Sequence, residues 1–159
     1  YYYRDNQNEP YWYSYKLESE HYFDSKTIWI QSIQKIIEEI SGINKQFNLL
    51  KIDPKSSIYS VNIQDNNCEF IIEHNNESAI NMIQCFIVDK IIDGKNLIEF
   101  CGYKKKHPLT NDIYLKFMVK QNKLSNIEIS QNIINIINNT IQTLTSNLNI
   151  MIEQAIQQL

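Results

Sequence analysis

The apolar positions of this chain change period along its length. Over residues 25–40 they fall at Ile30, Ile33, Ile36, Ile37 and Ile40, one face of a helix, with Asp24 or Ser25 as its N-cap and Gly42 as a stop. Over 77–92 the same spacing returns at Ile80, Ile83, Ile87 and Ile91, ended by Asp93-Gly94. Before, between and after these, apolar and polar residues alternate, the period of a half-buried strand. Such runs occupy 11–18 (YWYSYKLE), 58–63, 68–73, 97–103 and 112–119, the last with Ile113, Leu115, Phe117 and Val119 on one face. Residues 58–63 and 68–73 lie either side of Gln64-Asp65-Asn66-Asn67, which predicts a hairpin. Residues 1–10, 44–57 (with Pro54) and 104–111 (with Pro108) read as a loop, a connector and a second loop.

The final segment, 125–159, is the most regular. Its apolar residues fall at Ile133, Ile137, Ile141, Leu144, Leu148, Met151 and Ala155, in steps of three or four. That is the spacing of a coiled-coil-like seam. A helix of about 32 residues is ~48 Å long, more than a small sheet can cover, so its stripe requires another helical surface. The expected fold is therefore α+β: a small antiparallel sheet, amphipathic helices on one face of it, and a long C-terminal helix.

The first strand and helix also echo the last. A shift of one hundred positions sets Lys16, Ser25, Gln31, Ile33, Ile36 and Ile37 on Lys116, Ser125, Gln131, Ile133, Ile136 and Ile137. Chance likeness in an Ile-rich chain is one account. Two related strand–helix modules, fused and paired about a pseudo-two-fold axis, is the other.

Composition removes several function classes. The net charge of −3 is too close to neutral for a domain that holds nucleic acid through its own field. Three widely spaced cysteines without a CxxC pair suggest reduced, mostly buried thiols rather than a zinc ribbon or a disulfide framework. No run approaches the ~18 apolar residues of a membrane span, and no signal peptide is visible. Abundant Ile, Asn and Lys fit an AT-rich genome. The start at Tyr1 rather than Met leads us to expect the tail of a longer protein.

Residues 58–144 resemble the small dimerising subunit of cellular RNA polymerases: the archaeal L subunit, the eleventh subunit of eukaryotic polymerase II and its counterparts. The likeness rests on Phe100-Cys101-Gly102-Tyr103, then His107-Pro108, then the strand DIYLKFMV and the long helix. The family's acidic Thr-Leu-Gly-Asn stretch is only partly present: EHNNESAIN keeps Glu73 and Asn81 without the Thr-Leu-Gly. Residues 11–40 look like the last strand and helix of the larger partner, the D-type subunit, itself similar to bacterial α. A fusion of the two is similar to the arrangement in some large DNA viruses.

The resemblance implies a D-like remnant at 1–43, a connector at 44–57 and an L-like module at 58–159. It also implies a non-catalytic subunit in which an intramolecular D/L-type pair is the platform for the two large catalytic subunits of DNA-directed RNA polymerase. The seam residues, from Ile30 to Met151, would be core or interface, and Phe100, Gly102, Tyr103, His107 and Pro108 the family motif. Other polymerase subunits are further partners; no cofactor, metal, membrane or sequence-specific nucleic-acid contact is implied. The location would be intracellular: virion and host cytoplasm if viral, nucleus if cellular.

Rival chemistry is thinner. Cys101 with His107 would be a nucleophile and base, but a locally bonded turn histidine is favoured. Gly102 suggests a bend or a close backbone approach. Lys104, Lys105 and Lys106 read as a solvated loop, and the aromatic cluster of residues 1–15 as core or interface rather than a base-stacking platform. Asp89, Asp93 and Asp112 are not clustered as a magnesium site, and three glycines leave no phosphate loop. The competing function is a free-standing homodimeric adaptor with a coiled-coil-like tail.

Overall fold

A computed structural model of the chain describes residues 2–4, 10–13, 16–18, 24–52, 61–64, 67–73, 77–92, 97–105, 107, 110–120 and 125–157. The elements in order are β1 (Tyr2–Arg4), β2 (Pro10–Tyr13), α1 (Ser25–Ile52), β3 (Val61–Gln64), β4 (Asn67–Glu73), α2 (Glu77–Ile92), β5 (Ile98–Lys105), β6 (Asp112–Val119) and α3 (Asn126–Gln157). β1 and β2 form an antiparallel ribbon. The main sheet has four strands in the order β3-β4-β6-β5, every neighbouring pair antiparallel. The fold is thus α+β with a long C-terminal helix.

β6 lies between β4 and β5, so these two run parallel, joined by α2, with a later strand inserted. This is a split β-α-β arrangement. Alternation decides which face is buried. Cys68, Phe70 and Ile72 of β4, Ile98 and Cys101 of β5, and Ile113, Leu115, Phe117 and Val119 of β6 enter one core with Ile80, Ile83 and Ile87 of α2. At Glu99 the register of β5 against β6 slips, and both Glu99 and Phe100 face solvent. This β-bulge resets the alternation so that Cys101 returns to the core.

α2 and β6 occupy the expected residues, and the expected hairpin pairs Gln64 with Asn67, one residue further into the predicted turn on each side. Several boundaries differ. Residues 2–4 are a strand rather than loop, and β2 ends at Tyr13, while residues 16–18 are not in a strand. Lys104 and Lys105 belong to β5, not to the loop. The main correction concerns α1, which does not stop at Gly42 but continues to Ile52, through most of the predicted connector. An interior glycine costs a helix about 1 kcal/mol. Beyond it the apolar stripe resumes with Ile43 and Phe47, both fully buried, and that burial outweighs the glycine. Residues 53–57 of the connector and residues 58–60 of the predicted strand lie outside the described residues.

Both long helices are capped. Asp24 accepts from the backbone N–H of Thr27 at 2.8 Å and from its hydroxyl at 2.7 Å. Ahead of α3, Ser125 and Glu128 form a capping box. Glu128 Oε2 accepts from the Ser125 N–H (2.8 Å) and hydroxyl (2.7 Å), and the Glu128 N–H donates to Ser125 Oγ at 3.4 Å. These bonds hold the carboxylates of Glu128 and Asp24 below their usual pKa. A lowered folded-state pKa adds stability above the unfolded value, lost as pH falls through the folded one. Ser125→Ala is expected to cost about 1 kcal/mol at neutral pH. In urea unfolding, its difference from the parent should shrink once pH drops below the ordinary carboxylate range, about 4.

Candidate assembly surface

α1 and α3 lie antiparallel along most of their lengths. Lys26 Nζ at the start of α1 donates to the carbonyl of Ile156 near the end of α3 at 3.3 Å. Further along, Asn138 Nδ2 donates to Asn48 Oδ1 at 3.2 Å. The seam between the caps is apolar: Ile33, Ile40, Ile43 and Phe47 from α1, and Ile133, Ile137, Ile141, Leu144 and Leu148 from α3, are buried in the same core as the sheet. Phe47 meets Phe70 edge-on at 5.7 Å, and Phe70 meets Phe117 at 5.8 Å, so an aromatic row ties α1 to β4 and β6. The neighbouring helical surface that the α3 stripe requires is therefore α1 of the same chain.

The predicted seam residues do not all reach the core. Ile36 and Ile37 are half-buried against it; Ile30 is half-buried but outside it, and Trp29 packs there instead. Met151 is 41% exposed and lies outside the core. From Leu148 the seam steps four residues to Ile152, which packs on the core and leaves Met151 on the outer side. The internal echo is partly realised. Ile33 and Ile133 are buried and Ile36 and Ile136 half-buried at matching places on the two helices. Lys116 lies in β6, whereas Lys16 lies in no strand. Sequence reasoning missed Ile43 and Phe47; the steps from Ile36 through Ile40 and Ile43 to Phe47 carried the signal across Gly42.

Among the described residues, two surfaces group exposed apolar side chains, while Leu49 and Ile127 are exposed singly. One is the distal end of α3, where Ile150, Met151 and Ile156 are exposed, Ile156 by 52%. The other is the outer face of the sheet, where Phe100 and Met118 pair across β5 and β6 at 49% and 42% exposure. On that face the Phe100 ring lies over Gly102: a Cβ there would come within 2.7 Å of it. Gly102 thus permits a close approach, by its own strand neighbour. Lys104 reaches Glu69 at 3.7 Å and lies 5.9 Å from the centre of the Tyr114 ring. The side chain of Gln84 donates to the Cys101 carbonyl at 3.2 Å, tying α2 to β5.

The motif residues are dispersed: Phe100 exposed, Tyr103 packed against the core and His107 exposed. His107 offers its carbonyl to the N–H and hydroxyl of Thr110, both at 3.1 Å. Pro108 lies outside the described residues. Burial pushes the thiols of Cys68 and Cys101 up to about 12, the latter helped by Cys85, so at neutral pH neither is a thiolate nucleophile. Cys85 is exposed. A thiol-specific disulfide reagent is expected to titrate one cysteine in the native protein and three in urea.

Among the described residues no three His, Cys, Asp or Glu side chains converge as a metal site, and no helix is long and apolar enough to cross a membrane. Comparison with known protein families and with characterised proteins finds no family whose pattern fits the chain and no significantly similar relative.

Proposed function

We propose that this chain is a non-catalytic assembly subunit of DNA-directed RNA polymerase, in which α1 and α3 form a D/L-type pair within one polypeptide. The observation that carries the reading is the antiparallel α1–α3 pairing through one core: a strand–helix unit from each end of the chain supplies one long helix. The exposed apolar groups at the distal end of α3 and on the outer sheet face are the docking surfaces for the two large catalytic subunits. The chain then contributes shape and burial to transcription, not a reacting group, and acts inside the cell or the virion.

The test is isolation of the tagged native protein from its source, with the mass of the intact complex measured. Two very large companion subunits, one copy each, are the expected result. A particle containing two copies of this chain and nothing else would replace the proposal with the homodimeric adaptor, a reading that the same exposed α3 residues also favour.

A further inference from the structure

The α1–α3 seam carries a polar notch. A cavity of about 430 Å³ opens between the helices, lined by Asn44, Asn48, Asn138 and Gln142 over Ile37 and Ile141. No charged side chain lines it. Asn138 bridges the helices through its bond to Asn48, and the side-chain oxygens of Asn44 and Asn138 are buried without a donor from the protein. A polar cavity of that size admits water, which can donate to both oxygens. The amides are thus tolerated at this one alignment of the helices.

We infer that the Asn44–Asn48–Asn138 layer selects the partner and register of α3, favouring α1 of the same chain over a slipped pairing or over α3 of a second copy. The apolar stripe alone is a weak selector, because isoleucines and leucines at three- and four-residue steps pack in several registers. A slip of one turn, about 5.4 Å, breaks the Asn138–Asn48 bond and leaves one of the two without an amide opposite it. Antiparallel self-pairing of two α3 helices fares no better. A two-fold axis at Asn138 lets it meet its own copy, but sets Ile137 opposite Asn139 and Ile141 opposite Asn135. A two-fold axis that matches the apolar stripes, Ile137 on Leu144 and Ile133 on Leu148, sets Asn138 opposite Thr143 and gives it no amide partner. Half-buried amides of this kind trade stability for specificity of pairing.

The experiment uses the isolated full chain, so it is independent of whether polymerase subunits copurify. The parent is expected to have the mass of one chain by light scattering and one set of α3 amide resonances. Asn44→Leu/Asn138→Leu fills the notch with apolar side chains. It is expected to stay folded, with a thermal midpoint at or a few degrees above that of the parent. It should also populate a dimer or a second set of α3 resonances at the same concentration. Asn138→Ser, polar and hydrated, should behave as the parent. A parent that is itself dimeric, a double variant that remains a monomer with one set of resonances, or one that fails to fold would each overturn the inference.

Discussion

Ile137→Asp is expected to abolish cooperative unfolding of the isolated chain and, with it, every assembly that depends on the fold. Ile137 is wholly buried on α3, in the core shared by α1, α2 and the sheet. An unpaired carboxylate there costs several kcal/mol in desolvation, and the lost isoleucine packing adds about 2–5 kcal/mol. Together these match the 5–15 kcal/mol that stabilises a typical domain. Thermal melting followed by circular dichroism should show no sharp transition, and a native-like melt would contradict the packing described above. Leu144→Asp should act alike. Because these variants fail by unfolding, they cannot by themselves report on docking. Met151→Asp can: at 41% exposure it should shift stability by no more than about 0.5 kcal/mol. Loss of the large subunits with the fold intact would place the docking surface on the outer side of α3.

Phe70→Ala carries the second large effect. Its ring is fully buried between Phe47 and Phe117, edge-on to both. Removing a buried phenylalanine costs about 3–5 kcal/mol, of which each aromatic pair supplies roughly 0.5–1.5 kcal/mol beyond area. For a chain of this length that is a fall in melting temperature of roughly 8–16 °C. A fall of only a degree or two would mean that α1 does not rest on β4 as described.

Much of this architecture can be read in the sequence where one period runs unbroken. α2 and β6 are bounded by charged or turn residues, and alternation or helical spacing fills each from end to end. α1 was harder to bound because Gly42 interrupts its surface pattern while Ile43 and Phe47 continue it beneath. Local propensity marks a stop there; tertiary burial removes it. The bulge at Glu99 left little trace, since it exposes two neighbouring residues in a strand that otherwise alternates. The candidate surface was less legible still. Periodicity identifies α3 as needing a partner but not which helix supplies it, and Met151 fits the three-and-four spacing although Ile152 takes the inner place. Asn44, Asn48 and Asn138 look like solvated positions in a chain rich in asparagine. Only the antiparallel alignment of helices ninety residues apart brings them together.

The placement of β6 bears on how the chain acquires its structure during synthesis. β4 and β5 are not hydrogen-bonded neighbours; the strand that lies between them is made after both. The helix that covers α1 is made later still. A nascent polypeptide emerging to residue 111 therefore has a hairpin, two amphipathic helices and an orphan edge, with no central ladder to gather them. The β6 ladders and the α1–α3 seam form only once residues 112–157 have been made. Folding should wait until α3 has left the ribosome, and until then the apolar faces of α1 and α2 are clients for chaperones.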